Sequence, residues 1–167
     1  MTLAFAAQVV TWRYPPPYDT YDMVDTDLDF LVDSTSGFHA LVEGDELIGF
    51  RSFGDDGQVP GGPYTSTSPT GGTVLDTGGG LRPDLTGRGL GRRAIATGLL
   101  FGLDAYGPDV FRVTIASFNG RAHRVVESLG FVRGAEFPAS ADSRPFRILT
   151  GASSSLDLAR WAFSSAP

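Results

Sequence analysis

The sequence predicts a single α/β (α+β) domain with a mixed, mostly antiparallel sheet of about six to seven strands flanked by helices. Short alternating apolar segments, typical of half-buried strands, are interleaved with stretches of helical periodicity. Glycine- and proline-rich segments separate these elements. The 167 residues, 41% of them hydrophobic, suit one domain with a sizeable core. We therefore expect one domain over residues 1–167, with a core at 3–150 and a C-terminal tail at 151–167.

The composition excludes several kinds of site. The chain has no cysteine, so disulfides, thiolate nucleophiles and zinc–sulfur sites are excluded. Its two histidines, His39 and His123, are too few for a multi-histidine centre, and we expect no metal. The net charge of −6 disfavours a nucleic-acid-binding module. No apolar run reaches the ~20 residues of a membrane span and no secretory signal is visible, so we expect a cytoplasmic protein that binds no membrane.

The first third of the chain predicts a helix, a loop and a hairpin. Residues 3–14 carry apolar side chains at roughly helical spacing, and three consecutive prolines then end that helix. The Asp-rich stretch 18–33 indicates a loop and a short helix. Two alternating apolar segments, 38–42 and 46–53, flank Glu43-Gly44-Asp45, which is typical of a β-hairpin.

The next segment combines a long loop with a glycine-rich strand. Residues 54–72 are rich in Gly, Pro, Ser and Thr and predict a loop. Residues 73–81 predict a strand with Gly78-Gly79-Gly80 near its end. Because three glycines weaken a strand, we interpret them as a bulge or as a place where a ligand comes close. A plain loop is the alternative.

The second half of the chain alternates helices and strands. Apolar residues at helical spacing predict a helix over 92–106, which Gly107-Pro108 ends, and then a strand at 110–116. Asn119 is a typical N-cap for the next helix, and Gly130 is a typical C-terminal cap. The remaining expected elements are strands at 131–137 and 146–150 and a loose helix at 156–163.

The most informative stretch joins the glycine-rich strand to the helix at 92–106. It reads Leu81-Arg82-Pro83-Asp84-Leu85-Thr86-Gly87-Arg88-Gly89-Leu90-Gly91. A glycine-spaced turn exposes consecutive backbone N–H groups, and the helix N-terminus adds the positive end of its dipole, so the stretch predicts a phosphate-binding site. The chain has no lysine, which excludes a P-loop. The alternating Gly87, Gly89 and Gly91 do not fit the dinucleotide-binding fingerprint.

A second motif, further along the chain, points to a phosphate-binding protein that is neither a P-loop protein nor a dinucleotide-binding one. It reads Asn119-x-Arg121-Ala122-x-Arg124-Val125-Val126-Glu127-x-Leu129-Gly130-Phe131. The two motifs together resemble those of the GNAT superfamily of N-acetyltransferases, over roughly residues 73–137. The order of the other elements fits that family's fold, whose sheet is splayed at the acetyl-CoA strand. Trp12-x-Tyr14-x-x-Pro17-Tyr18 is similar to a bacterial, uncharacterised subset of the family.

The resemblance implies that acetyl-CoA is the co-substrate. Backbone N–H groups of the turn would bind its pyrophosphate, and one or two nearby arginines would pair with phosphates. The N–H groups of Gly79 and Leu81 would hold the thioester carbonyl and stabilise the oxyanion that forms on attack. The implied cofactor-binding residues are Gly79, Leu81, Gly87, Arg88, Gly89, Leu90, Gly91, Arg92 and Asn119.

The resemblance also implies a reaction by direct attack of a primary amine on acetyl-CoA in a ternary complex. Asp76, on the glycine-rich strand, is the first candidate for the general base, and His39, His123 and Glu127 are weaker ones. Asn119 is expected to contact the cofactor or a water molecule. The tyrosine that often protonates the leaving thiolate in the family is replaced by Val126. We therefore expect the thiolate to take its proton from water, with Tyr14, Tyr18 or Tyr21 of the first-helix region as the alternative donors. Tyr14 and Tyr18 are candidate substrate-binding residues.

Two function classes remain open. We expect an N-acetyltransferase whose acceptor is a small amine or a peptide N-terminus. Aromatic residues near Tyr14 beside the aspartates of residues 19–29 would suit a cationic amine, whereas core aromatics and solvated carboxylates are the alternative. The replacement at Val126 also allows a catalytically silent module that binds an acyl-CoA. The sequence does not determine the oligomeric state, and a homodimer is one option.

Overall fold

The chain forms four α-helices and six β-strands over residues 1–162, which are the residues that the computed structural model describes. The helices are α1 (Leu3–Val9), α2 (Leu28–Val32), α3 (Gly91–Tyr106) and α4 (Gly120–Glu127). The strands are β1 (His39–Glu43), β2 (Glu46–Phe53), β3 (Val74–Leu81), β4 (Val110–Ala116), β5 (Val132–Pro138) and β6 (Pro145–Ala152). They form one mixed sheet in the order β1-β2-β3-β4-β6-β5, in which only β3 and β4 are parallel.

The sheet divides in its centre, along β3. The first half of this strand pairs with β4, over Val74–Asp76. The second half pairs with β2, over Thr77–Leu81. Because the β3–β4 ladder stops at Asp76, a gap opens between the C-terminal halves of the two strands, and the predicted splay of the sheet is confirmed.

The two faces of the sheet carry separate helix layers. Leu99 of α3 and Val126 of α4 pack with Phe53 of β2 on one face. Ala6 of α1 packs with Phe50 of β2 on the other. Successive strand residues face opposite sides, which is why two phenylalanines of one strand join different layers.

Helix α1 is shorter than the periodicity predicts. It ends at Val9 instead of residue 14. A run of β-branched residues, Val9 to Thr11, disfavours continuation of the helix. The Thr11 hydroxyl donates to the Gln8 carbonyl at 2.7 Å, and the Arg13 guanidinium donates to the Val10 carbonyl at 3.0 Å. Side chains therefore satisfy the last carbonyls before the prolines are reached.

The tail also differs from its prediction. The loose helix expected at 156–163 is reduced to one turn, in which the Trp161 and Ala162 N–H groups donate to the Leu158 carbonyl, both at 3.1 Å. Phe163 lies outside the described residues. The other predicted helices and strands agree with the structure to within about two residues, which is the usual uncertainty of element ends.

The glycine run in β3 is distorted without a bulge. The pairing of β3 with β2 keeps one register from Thr77 to Leu81. The distortion lies in the backbone of Gly79, whose φ is +145°. A Cβ at this position would stand 2.3 Å from the Phe50 carbonyl oxygen, so only glycine fits.

A buried ion pair ties β3 to β4 at the point where they separate. Arg112 of β4 donates through Nε to Asp76 Oδ1 at 2.6 Å and through Nη2 to Asp76 Oδ2 at 2.7 Å. The same arginine bonds the Thr65 carbonyl at 3.1 Å, and Gln58 donates to Asp76 Oδ2 at 2.9 Å. Because both partners come from the loop at 54–73, the pair also fixes that loop on the sheet.

We predict that Asp76→Asn lowers the free energy of unfolding by about 3–5 kcal/mol, because it leaves the buried Arg112 guanidinium without a counter-charge. Urea unfolding followed by circular dichroism measures the change. Asp157→Asn is the matched control, since its partner Arg160 is 3.9 Å away and both side chains are exposed. The control is expected to cost less than about 1 kcal/mol. Equal losses in the two variants would contradict the structural role of Asp76.

Candidate functional site

The gap between β3 and β4 exposes backbone groups of β3. Hydrogen-bonded and non-hydrogen-bonded pairs alternate along an antiparallel ladder. Arg82, just after β3, donates its N–H to the Ile48 carbonyl at 2.9 Å, which sets the phase of this alternation. The N–H groups of Gly79 and Leu81 therefore point away from β2 and toward the gap.

The glycine turn that follows β3 is open in front of its backbone. Gly87 and Gly89 have φ values of +76° and +81°, in the left-handed region that glycine adopts most easily. Helix α3 begins at Gly91, and no side chain caps its N-terminus. A Cβ on Gly89 would meet nothing within 4 Å. An uncapped helix N-terminus beside open space suits an anionic group.

The arginines of the turn have different surroundings. Arg82 is engaged, because its Nε donates to Asp84 at 2.7 Å. Arg88 is exposed beside the turn. The guanidinium of Arg92 lies 4.2 Å from the ring centroid of Trp161, so this side chain is directed toward the C-terminal segment. Arg92 can therefore offer its backbone N–H, but not its guanidinium in this position, to a group in front of the turn.

Arg121 of α4 reaches the turn from the second motif. Its Nη1 lies 4.0 Å from the position that a Cβ of Gly87 would occupy. Its guanidinium also stacks 4.0 Å above the ring of Tyr18. The motif places Arg121 on a helix, but its contact with the turn depends on how α4 packs, which no local pattern shows.

Asp76, the first candidate for the general base, lies in the buried ion pair with Arg112, and its role as a base stays a prediction. Both of its carboxylate oxygens accept hydrogen bonds from Arg112, and one also accepts from Gln58. The residue is 4% exposed. Both oxygens are therefore taken up by these partners and shielded from an incoming amine, which favours a structural role for Asp76.

Tyr14 lies at the edge of the gap. Its hydroxyl donates to the Leu81 carbonyl at 2.6 Å, and its N–H donates to Asp22 at 2.9 Å. The hydroxyl is 2.9 Å from the position that a Cβ of Gly80 would occupy. Burial, and secondarily the charge of Asp22, raises the pKa of Tyr14 above its usual range. The phenol therefore stays protonated at neutral pH and acts as a hydrogen-bond donor.

Asn119 caps α4 and also contacts a tyrosine. Its Oδ1 accepts from the Ala122 N–H at 3.1 Å, and its Nδ2 donates to the Tyr21 hydroxyl at 3.2 Å. Burial raises the pKa of Tyr21, and the hydrogen bond from Asn119 offsets part of that shift. The predicted cap is confirmed, whereas contact of Asn119 with a cofactor stays a prediction.

The other candidate proton carriers are placed differently. His39 lies on the edge strand β1, with Nε2 3.1 Å from the Tyr106 hydroxyl. His123 is buried, with Nε2 3.3 Å from the Ala116 carbonyl, and burial lowers its pKa. Val126 is 2% exposed and belongs to the core that α3 and α4 share. It supplies no polar group.

Two of the aspartates in residues 19–29 accept hydrogen bonds from nearby backbone N–H groups. Asp22 accepts from the Tyr14 N–H, and Asp27 accepts from the Asp29 N–H as the N-cap of α2. Phe118 lies 5.6 Å from the ring of Tyr18, measured between centroids. This side of the gap is therefore aromatic, and two of the expected carboxylates already accept hydrogen bonds from backbone N–H groups.

Residues 1–162 offer neither a metal-binding cluster nor a membrane-spanning helix. This part of the chain contains no group of three or more His, Cys, Asp or Glu side chains arranged to hold a metal ion. Within the same residues, every helix is too short or too polar to cross a membrane.

Comparisons with known proteins agree with this geometry. The model of the acetyltransferase (GNAT) family matches residues 4–131. A search of curated protein sequences found no match. Among solved structures, the aminoglycoside acetyltransferase AAC(6')-Ib in complex with coenzyme A gives a TM-score of 0.67 at 16% identity, with 93% of each chain covered.

Two further structures share the fold. A spermidine N-acetyltransferase SpeG chimera from Vibrio cholerae and hSSAT gives a TM-score of 0.63 at 14% identity, covering 92% of this chain and 94% of its own. YncA from Salmonella typhimurium, with its cofactor acetyl-CoA, gives 0.50 at 23% identity over 69% of this chain. This chain spans 63% of the YncA chain. The structures establish the fold, and the match over residues 4–131 shows that the chain belongs to the acetyltransferase (GNAT) family.

Proposed function

We propose that the protein is an acetyl-CoA-dependent N-acetyltransferase. The proposal rests on two groups of backbone N–H donors that follow one another along the chain, one on β3 and one in the turn after it. Gly79 and Leu81 turn their N–H groups toward the gap, and the uncapped turn at Gly87–Gly91 follows directly. A ligand with an anionic end and a thioester-bearing arm fits this order of groups.

In the proposed complex, the turn binds the pyrophosphate of acetyl-CoA through backbone N–H groups from Gly87 to Arg92. Arg121 supports it, because its guanidinium lies beside Gly87. The arm enters the gap, where the N–H groups of Gly79 and Leu81 donate to carbonyl oxygens of the ligand. A donor aimed at the thioester oxygen stabilises the charge that develops there during attack.

The proposed reaction is direct. The neutral amine nitrogen attacks the thioester carbon, the carbon–sulfur bond breaks, and the nitrogen loses a proton. Because Asp76 is held by Arg112 and Gln58, we propose that water carries this proton away. Tyr14 is the proposed hydrogen-bond donor to the leaving thiolate, since its protonated hydroxyl lies beside Gly80 and Val126 supplies none, and the thiolate then takes its proton from water.

The acceptor is proposed to be a small molecule with a primary amine. The matched structures include a spermidine N-acetyltransferase and an aminoglycoside acetyltransferase, which supports this class for the present chain. The aromatic side chains of Tyr14, Tyr18 and Phe118 beside the gap would pack on the carbon atoms of such a molecule. A peptide N-terminus is the other acceptor that the same chemistry admits.

A second candidate function is a silent acyl-CoA-binding module. Two observations favour it: Val126 stands where the family often has a tyrosine, and the carboxylate of Asp76 on β3 is paired with Arg112. Turnover separates the candidates, because both bind acetyl-CoA.

We predict that acetyl-CoA binds with a dissociation constant below about 100 μM in calorimetry. We also predict release of free thiol from acetyl-CoA in the presence of at least one amine from a panel of polyamines, aminoglycosides and short peptides. Tight binding without thiol release on the whole panel would favour the silent module. Absence of binding at about 1 mM acetyl-CoA would contradict both candidates.

Tyr14→Phe is predicted to lower kcat by about tenfold with a smaller effect on the KM for acetyl-CoA, because it removes the proposed hydrogen-bond donor to the leaving thiolate. Tyr18→Phe is the matched control: its ring packs on Arg121 and Phe118 and is kept by the substitution. Its kcat should stay within about twofold of the wild type. Steady-state kinetics on the best amine measures kcat and KM for both variants. Equal losses of kcat in Tyr14→Phe and Tyr18→Phe would show that the Tyr14 hydroxyl has no special part in the reaction.

Arg121→Gln is predicted to raise the dissociation constant of CoA by about tenfold, through loss of a charge-assisted contact with phosphate. Arg124→Gln removes the same charge from an exposed position of the same helix and serves as the control. Titration calorimetry at about 0.1 M salt compares the two. Equal weakening would show that Arg121 acts only through the net charge of α4.

A further inference from the structure

A buried arginine without a counter-charge lies on the α3 face of the sheet. Arg51 of β2 is 8% exposed. Its Nη2 donates to the Thr77 hydroxyl at 2.7 Å, while its Nε is buried with no hydrogen-bond partner. None of the ion pairs found within residues 1–162 includes Arg51. Burying a guanidinium without an anion is costly, so its retention here requires an explanation.

This arginine lines a cavity of about 430 Å³ between α3, β1 and the start of α1. Phe5, Leu41 and Phe101 contribute apolar walls, and His39 contributes an imidazole. Within the described part of the chain, no aspartate or glutamate lines the cavity. Arg51 therefore places a cationic group on a wall that combines apolar side chains with the polar side chains of Thr2, His39 and Thr97.

The helix above the cavity leaves room for the arginine. A Cβ on Gly98 of α3 would stand 2.5 Å from Arg51 Cγ and 2.7 Å from its Cδ. Any other residue at this position would push the Arg51 side chain aside. Burial lowers the pKa of Arg51 to about 10, so the guanidinium is still charged at neutral pH.

We propose that this cavity binds a small monocarboxylate with an apolar body. Its carboxylate would pair with the Arg51 guanidinium, whose planar fork of donors matches the geometry of a carboxylate. Its apolar part would pack against Leu41 and Phe101. A singly charged ligand fits better than a phosphate, because Arg51 is the one arginine among the described residues that line the cavity.

The site is separate from the gap but touches the same strand. Arg51 stands opposite Gly79 in the β2–β3 register and bonds Thr77 of β3. The Arg51 side chain lies on the α3 side, against Gly98, whereas Tyr14 contacts β3 at Gly80, which faces the opposite side. A carboxylate bound to Arg51 and acetyl-CoA in the gap can therefore be present together.

Calorimetry with benzoate and benzamide tests the proposal on the full chain. We expect benzoate to bind with a dissociation constant of about 1 mM and the uncharged benzamide to bind at least about tenfold more weakly. Arg51→Gln should weaken benzoate by at least about tenfold, whereas Arg13→Gln, which removes an exposed arginine, should not change it. Equal binding of the two ligands, or no benzoate binding at about 20 mM, would overturn the proposal.

Two further measurements locate the benzoate and keep the test valid if Arg51→Gln does not fold. Phe101→Ala trims a side chain that is 44% exposed, and it should weaken benzoate several-fold without loss of structure by circular dichroism. Saturating CoA should leave the benzoate affinity unchanged within about twofold. Displacement of benzoate by CoA, or an unaltered affinity in Phe101→Ala, would place the anion elsewhere and contradict the proposed site.

Discussion

The buried ion pair between Asp76 and Arg112 is the constraint on which the site depends. It joins β3 and β4 at the last position where these two strands pair. Buried charges are stable only when they are paired and hydrogen-bonded, and here Gln58 and the Thr65 carbonyl complete the set of partners. Beyond this position no ladder connects the strands, so the gap begins at a defined residue.

The gap leaves one edge of β3 without a neighbouring strand in the middle of a sheet. Unpaired backbone groups in such a place are costly unless something else bonds them. Tyr14 bonds the Leu81 carbonyl, whereas the N–H groups of Gly79 and Leu81 face the gap. In our proposal the carbonyl groups of acetyl-CoA complete this edge in the way a strand would, and Gly78–Gly80 let the ligand come close. The gap between β3 and β4 would then be both the irregular feature of the sheet and the place where acetyl-CoA binds.

Most of the fold, the glycine turn before α3 and the cap of α4 could be predicted from the sequence, because their signals are local. The glycine spacing at Gly87–Gly91 and the N-cap at Asn119 each depend on a few consecutive residues. Roles that depend on packing between distant segments could not be predicted. Asp76 is bonded by a residue 36 positions later, and Tyr14 bonds a carbonyl 67 positions later. The predicted length of α1 was also wrong, because hydrogen bonds from the Thr11 and Arg13 side chains end the helix before the prolines.

Hydrogen exchange along β3, measured by NMR with and without acetyl-CoA, tests most directly whether the division of the sheet at Asp76 creates the donor site. The N–H groups of Gly79 and Leu81 should exchange quickly in the free protein and become protected when acetyl-CoA binds. Those of Gly78 and Gly80, which point toward β2, should be protected in both states. Unchanged exchange at Gly79 and Leu81 under saturating acetyl-CoA would contradict this account.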